Sequence, residues 1–398
     1  MKTRMLGAAL ALTVAWGLSA CSTDTPMGGA QFVGSDKCGS CHTNEYATWK
    51  DTYHNKMVRP TREGMLRDAL DAWAKDGKGN AGPTKGNIDG KAYKYEDVAM
   101  VVGSKWKQRY LVKNSITGNH QFMDKQWNRY LKVWEGYGQK NDWEAQCATC
   151  HATGYKITAY DAANPAAQKF QMAERNTGCE ACHGPGSKHV STGNKADIFN
   201  PKNAPAAEAD KVCGYCHIRA ETYAWKTAQG HPREDLPAPT LGASYRAGLD
   251  DWTKWYTKSQ SLLVGIQADA PFTGNYKGTD LDNAFFTDEK AVKDNLFEAR
   301  KHHQQYQEYT QSKHAKGGMS CNTCHSPHAV KGKVIDSRDT CKTCHAGKPM
   351  ADYKAYMPGL GRTAGDLFVR SHTFNPAPRK GGATADDMGP PVYAYPQK

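Results

Sequence analysis

The motif Cys-x-x-Cys-His occurs six times in the 398 residues and constrains this chain more than any other feature. The spacing places two thiols and one imidazole on a single helical turn. The two thiols can form thioether bonds to one porphyrin while the histidine binds its iron, which is the attachment chemistry of c-type haem. The motifs therefore predict six covalently bound haems. The expected attachment residues are Cys38, Cys41, Cys147, Cys150, Cys179, Cys182, Cys213, Cys216, Cys321, Cys324, Cys341 and Cys344. The expected proximal iron ligands are His42, His151, His183, His217, His325 and His345.

Paired cysteines have two other common uses. Four-thiolate zinc sites and a disulfide framework can each be built from Cys-x-x-Cys pairs. Both alternatives leave the histidine after every second cysteine unexplained. Haem attachment accounts for all three positions of the motif.

The first twenty residues have the pattern of a lipoprotein signal peptide. Lys2 and Arg4 precede an apolar stretch, residues 6–16, that is too short to span a bilayer. The sequence that follows ends at Cys21 in the form of a lipoprotein cleavage site. We expect Cys21, the odd cysteine, to be acylated, although an ordinary secretory signal with an incidental cysteine is the alternative. Ser22 then favours an exported lipoprotein of the outer membrane, facing the periplasm or the cell surface.

Charge and composition also agree with bound haem. The formal net charge of +12 is offset by the propionates that each haem would carry, and no nucleic-acid-binding motif accompanies it. Hydrophobic residues make up only 39% of the chain, so the porphyrins are expected to supply much of the apolar interior. We therefore predict no nucleic-acid partner and a core that fails to form without haem.

The fold predicted from these features is mainly α with long loops, a cofactor-filled core and a small antiparallel β insertion. Alternating apolar residues over 93–112, a turn at 117–119 and the segment from His120 to Trp127 predict the β element. One long helix is predicted from about Asp288 to Gly317-Gly318. The expected divisions are a signal peptide (1–20), a linker (21–37), a first haem with the β insertion (38–146), a three-haem cluster (147–217), a haem-free insertion (218–320), a two-haem segment (321–372) and a Pro/Gly-rich tail (373–398).

The histidines outside the motifs are candidates for the second axial position on each iron. His54 would lie about 18 Å from His42 along a continuous helix, so it should reach a different haem. His325 and His328 lie on one turn and cannot bind one iron from opposite sides, so they should hold two neighbouring haems. The predicted distal ligands are His54, His189, His303, His314, His328 and His372, with His120 in reserve and His231 and His302 as surface or structural residues.

Two segments resemble a known superfamily. The first motif, followed by Trp49 and His54, resembles the opening of the tetrahaem cytochromes that accept electrons from hydroxylamine oxidoreductase. The segment 178–189, which contains the third motif and His189, is similar to the wider superfamily.

A third segment is similar to the pentahaem, ammonia-forming nitrite reductases. The spacing of His303, Tyr306 and His314 before the motif at Cys321 matches that family. The resemblance implies that His314 is a distal ligand and that His303 lies over a catalytic haem. However, those reductases carry one motif that ends in lysine, all six motifs here end in histidine, and no counterparts of the catalytic Arg and Tyr are found.

The function indicated by the sequence is electron transfer through six haems, mainly with two histidine ligands, in anaerobic respiration. The expected partners are donor and acceptor cytochromes or a terminal reductase, with the membrane contacted through the lipid. One alternative is a reductase of nitrite, hydroxylamine or a sulfur oxyanion at one five-coordinate haem. Another is a conductive cytochrome that assembles into an oligomer or filament.

Overall fold

The computed structural model describes residues 27–375, with long gaps at 61–72, 219–243, 253–284, 329–340 and 347–355 and several shorter ones. His231, His302, Cys21 and most of the tail lie outside the described residues. Among the helices that are described, none has the length and apolar character needed to cross a bilayer.

The largest regular element is an antiparallel sheet of five strands in the order of the sequence. Its strands are β1 (Val58–Pro60), β2 (Val98–Val102), β3 (Lys107–Lys113), β4 (His120–Asn128) and β5 (Val133–Gly136). The predicted β insertion is therefore present, with strands close to the expected positions.

Both faces of this sheet are apolar. One face carries a buried aromatic cluster that includes Tyr110, Trp127 and Trp134. The other face carries Leu111 and Phe122, which pack on residues flanking the second motif. Because successive side chains point to opposite faces, neighbours on one strand serve different cores. This second face of the sheet thus packs beside the second motif.

The helices in the described ranges are short, from 4 to 9 residues. They are α1 (Ser35–Gly39), α2 (Thr43–Lys50), α3 (Trp143–Gln146), α4 (Ala148–His151), α5 (Cys179–His183), α6 (Ser187–Thr192), α7 (Ala206–Gly214), α8 (Glu289–Asp294), α9 (Gln305–Tyr309), α10 (Lys313–Lys316) and α11 (Cys321–Cys324). The prediction of a mainly α fold is not supported by the described residues, where loops and the sheet predominate.

The predicted long helix from Asp288 is wrong. Three short helices, α8 to α10, occupy this region, and His303 between them has a φ of 52°. The buried side chain of Glu308 accepts a hydrogen bond from the Ala299 N–H, and Gln311 accepts one from the Phe297 N–H. The two N–H groups therefore donate to side chains and not to the backbone carbonyls four residues earlier, as they would in a helix. The backbone leaves the helical path between α8 and α9. His303 and His314 therefore do not share a helical face.

Two hairpins were not predicted. The first joins β6 (Lys156–Ala159) to β7 (Lys169–Gln171), and the second joins β8 (Gly359–Thr363) to β9 (Leu367–Arg370). The second hairpin ends directly before Ser371 and His372, so it delivers His372 to its site. Its strands lie in the region that the sequence indicated only as a two-haem segment.

Candidate haem-binding sites

Each motif forms one tight helical turn. In the first motif, the His42 N–H donates to the Cys38 carbonyl at 2.9 Å, and the fifth motif repeats this bond between His325 and Cys321 at 2.8 Å. The second, fourth and sixth motifs close their turns in the same way, and the third lies within α5. The turn brings two thiols and an imidazole together, as thioether attachment and iron ligation require.

Glycine is required inside the fourth motif. A Cβ on Gly214 would lie 2.6–2.8 Å from the ring of Tyr306, which packs directly on the backbone of α7. Tyr306 in turn contacts Trp252 at a ring distance of 5.6 Å. The close approach fixes α9 against the fourth motif.

Cysteines of different motifs lie close together. Neighbouring thiols change each other's pKa in the pairs Cys38–Cys179, Cys150–Cys216 and Cys213–Cys321, so the first motif lies beside the third, the second beside the fourth and the fourth beside the fifth. Cys182 is an electrostatic neighbour of Cys213, and Cys324 of Cys341. The spatial order of motifs is therefore first, third, fourth, fifth and sixth, with the second beside the fourth. The first motif, isolated in sequence, is not isolated in space.

Five motif histidines face a histidine from outside the motifs. The ring centroids lie between 6.1 and 6.3 Å apart in every pair. Each of these five contacts joins one motif residue to one non-motif residue. The pairs are His42–His189, His217–His54, His183–His328, His345–His314 and His325–His372.

This separation fits two imidazoles on one iron. An imidazole nitrogen binds a transition metal at about 2.0–2.1 Å, and its ring centroid lies about 1.1 Å further away, so two opposed rings would be about 6.2 Å apart. The observed distances match this value in all five pairs. The residues present therefore fit axial ligation of haem iron.

Hydrogen bonds to the second ring nitrogen orient several of these imidazoles. The Nδ1 atoms of His183 and His189 lie 2.9 Å from the carbonyl oxygens of Phe199 and Asn194. His372 Nδ1 lies 2.9 Å from the Arg370 carbonyl oxygen. Because a carbonyl only accepts, Nδ1 carries the proton and the Nε2 lone pair is left to bind metal.

The pairs differ in their surroundings. Burial lowers the pKa of His54 to about 4 and that of His372 to about 4, with the neighbouring His217 and His325 as the next contributors. These imidazoles stay neutral over the whole physiological range, as ligation requires. At the first motif, by contrast, His42 is exposed.

A buried carboxylate joins the first motif to the third. Glu180 lies inside the third motif, is 1% exposed and accepts hydrogen bonds from the N–H groups of Val33, Gly34 and Gly186 at 2.7–3.0 Å. Gly34 directly precedes α1, which enters the first motif. Residues 27–34, predicted as linker, are therefore held against the third motif. Sequence reasoning missed this contact, because the middle positions of the motif carry no recognisable signal.

Most of the predicted distal residues lie in the pairs. His54, His189, His314, His328 and His372 each face a motif histidine, and the neighbours His325 and His328 belong to two different pairs. His54 lies in a turn after α2 rather than on a helix.

The remaining candidates have other surroundings. His303 lies outside these five pairs, in the turn before α9. His120 is placed on β4 with its Nδ1 2.6 Å from Glu144, and His151 ends α4, beside the second face of the sheet.

Comparison with known proteins places these sites in a class. The family described as Cytochrome c554 and c-prime matches residues 37–78 and 105–184, which include the first three motifs. The chain is 23% identical over 240 residues to cytochrome c-552 of Aliarcobacter butzleri, covering 53% of this chain and 42% of that protein. It is 22% identical over 237 residues to cytochrome c-554 of Nitrosomonas europaea, covering 56% of this chain and 73% of that protein.

Two solved structures are also similar. Outer cell wall cytochrome OcwA gives a TM-score of 0.47 at 24% identity, covering 81% of this chain and 63% of that chain. An undecahaem cytochrome from the S-layer of Carboxydothermus ferrireducens gives a TM-score of 0.41 at 20% identity, covering 84% of this chain and 44% of that chain.

The motifs and the family match identify the chain as a multihaem c-type cytochrome, a class of protein that transfers electrons through c-type haems. Within that class, the family match extends to residue 184, so the fourth, fifth and sixth motifs lie beyond it.

Proposed function

We propose that this chain is an exported electron carrier that binds six haems and holds at least five of them between two histidines. The observation that carries the proposal is the set of five imidazole pairs at 6.1–6.3 Å, each containing one motif histidine. When bound, c-type haem supplies reversible one-electron chemistry at its iron. Because two imidazoles would hold each of these five irons, the sites would leave no coordination position for a substrate. Relay of electrons is the function that such sites support.

The contacts between motifs define the proposed path. The order is first, third, fourth, fifth and sixth, with the second as a branch at the fourth, since the thiols of successive members are neighbours. The distal histidines reinforce this order. His328 follows the fifth motif in sequence and faces His183 of the third, while His325 faces His372. One loop therefore holds two sites together.

The two ends of this path are the proposed docking sites for redox partners. Cys41 and His42 at the first motif are exposed, as is Cys344 at the sixth. His54 and His217, in the middle, have their pKa lowered by burial. A donor and an acceptor, such as other cytochromes or a terminal reductase, would then meet different ends of the chain.

The proposed lipid anchor would lie near the first motif. Acylated Cys21 is only six residues before Met27, which is 8% exposed, and six residues span at most about 20 Å. The hydrogen bonds to Glu180 then fix residues 33 and 34 beside the first and third motifs. An acylated Cys21 would therefore hold the first motif close to the lipid surface.

Voltammetry of the holoprotein adsorbed on a graphite electrode tests the proposal. We expect a reversible wave whose integrated charge corresponds to six electrons per molecule, one for each motif. Addition of nitrite, hydroxylamine or sulfite should leave the wave unchanged. A catalytic current with any of the three would favour the reductase alternative and overturn the relay. Mass spectrometry of the same sample should show six haem additions and a diacylglycerol on Cys21.

A further inference from the structure

Phe374 occupies an unusual backbone conformation. Its φ is 50°, and the other described residues besides glycine with positive φ are Lys132 and His303. This left-handed region is unfavourable for a residue with a bulky ring, so it persists only where the surroundings impose it.

The surrounding segment provides that constraint. The Ser371 N–H donates to the Pro358 carbonyl at 2.9 Å, and the Ser371 and Thr373 hydroxyl groups lie 3.0 Å apart. Ser371 and Thr373 are both buried, at 1% and 3% exposure. The backbone on the N-terminal side of Phe374 is therefore held in place by buried polar contacts.

The ring of Phe374 contacts two proposed ligands that serve different haems. Its centroid lies 4.6 Å from that of His314, with an angle of 69° between the rings. It lies 6.1 Å from that of His372, at 78°. One aromatic side chain thus touches the distal histidines of both the sixth and the fifth motif. Edge-to-face contacts of this kind restrict rotation of the rings involved.

The two pairs differ in the angle between their imidazole planes. His314 and His345 are at 80°, whereas His325 and His372 are at 32°. Parallel imidazole planes lift the degeneracy of the two iron dπ orbitals, and perpendicular planes preserve it. The angle therefore sets the g anisotropy of the low-spin ferric ion, which is one lever by which axial ligands tune haem.

We propose that Phe374 is a positioning residue that fixes the imidazole planes of His314 and His372 and so gives the fifth and sixth haems different electronic structures. This inference rests on the proposed function, which assigns both histidines as ligands. Phe374 touches neither motif histidine in these contacts and acts through the distal rings. The strained backbone is the cost of placing one ring against both.

Low-temperature EPR of the oxidised holoprotein tests the proposal. Two pairs have planes at 80°, His217–His54 and His345–His314, and should give strongly anisotropic signals with a large maximum g value. The Phe374→Ala variant should shift one of these two signals towards a rhombic spectrum and leave the other as an internal reference. Phe374→Tyr, which keeps the ring, should retain the wild-type spectrum.

Further variants separate ring contact from backbone strain and from simple packing. Phe374→Leu fills space without an aromatic face and should resemble Phe374→Ala, as should Phe374→Gly, which relieves the strain. Phe170→Leu is the matched control, because Phe170 stacks on Tyr155 at 6.0 Å in the cluster beside the second motif, which supplies none of the five pairs. It should leave the signals of the five pairs unchanged.

The outcomes distinguish this inference from the function on which it rests. Unchanged anisotropic signals in a haem-replete Phe374→Ala or Phe374→Leu variant would overturn the positioning role while leaving the relay intact. If His314→Met left both anisotropic signals unchanged, His314 would not be a ligand, and the proposal would fall with that assignment. If Phe374→Ala loses haem, the EPR spectra of Phe374→Tyr and Phe374→Leu test the positioning role. The two spectra should differ if the aromatic ring orients the imidazoles, and identical spectra would overturn the proposal.

Discussion

The sheet and the haem-bearing segments achieve order in different ways. In the sheet, Trp134 lies 5.0 Å from Trp127 and 5.6 Å from Tyr110, so the strands bury their own aromatic core. The haem-bearing segments bury a smaller apolar cluster around Trp252 and Tyr306, and are otherwise joined by polar contacts and opposed imidazoles. Burial of apolar surface is the main favourable term in folding, and the clusters on the two faces of the sheet are the larger ones. The difference indicates that haem is structural for one region and an addition for the other.

The largest expected effect follows from withholding haem. In protein made without the haem-attachment machinery, the segments at 179–217 and 305–324 should lose their slow amide hydrogen exchange. Residues 98–128 should keep part of theirs, because the aromatic cluster is independent of the cofactor. Hydrogen exchange read by mass spectrometry measures both regions in one sample. Equal loss, or equal retention, would remove the distinction between them.

Truncation of the aromatic core tests whether the sheet is stabilised independently of haem. Trp134 is 4% exposed, and Trp134→Ala should lower the free energy of unfolding by about 3–5 kcal/mol. The haem absorption spectrum of the folded variant should stay as in the wild type. Ile116→Ala, at a side chain that is 63% exposed, is the control and should change stability by less than about 0.5 kcal/mol. A change in ligation in the Trp134 variant would show that the two regions are not separable.

The contact at Glu180 tests how polar groups hold the haem-bearing region. Glu180→Ala leaves three N–H groups, one buried and two half-buried, without their acceptor, and we expect a loss of about 3 kcal/mol. Glu180→Gln should cost less, since its amide oxygen can still accept. Glu208→Gln is the comparison, because Glu208 pairs with Lys211 at an exposed surface and should cost below about 1 kcal/mol. Thermal unfolding followed at the Soret band measures the stability of all three variants. Similar losses for Glu180→Ala and Glu208→Gln would show that the Glu180 contact does not hold the first and third motifs together.

The smallest effect concerns the packing of the fourth motif. In Gly214→Ala the new Cβ meets the Tyr306 ring, and overpacking of this kind should cost about 1–3 kcal/mol. Because Gly214 lies between two attachment cysteines, the shift should also alter the His217 signal in the EPR spectrum. Gly136→Ala in the sheet, where a Cβ would meet nothing within 4 Å, should leave that signal unaffected. An unchanged His217 signal in Gly214→Ala would show that this packing does not position the motif.

The sequence allowed some of this organisation to be predicted. The covalent motif has a fixed spacing, so its local turn followed directly, and the alternation around Tyr110 and Phe122 indicated the strands. His325 and His328 do face different partners, as predicted, but not for the predicted reason: α11 ends at Cys324 and His325 is extended, so the two residues do not share a helical turn.

Other features depended on tertiary contacts. The helix predicted through His303 fails because the side chains of Glu308 and Gln311 accept from the N–H groups of Ala299 and Phe297, 9 and 14 residues earlier, beyond the four-residue spacing of a helix. The carbonyl groups that orient His183 and His372 belong to the backbone, which any residue provides. The role of Glu180 likewise depends on residues about 150 positions away in sequence. The local pattern of apolar and polar residues does not identify hydrogen-bond partners of this kind.

Saturation of the iron by histidine pairs at five or more sites is measured by EPR of the fully oxidised holoprotein, with iron determined on the same sample. We expect at least five of the six irons to give low-spin signals with two histidine ligands, three from near-parallel planes and two from near-perpendicular ones. High-spin signals from two or more irons would contradict this expectation.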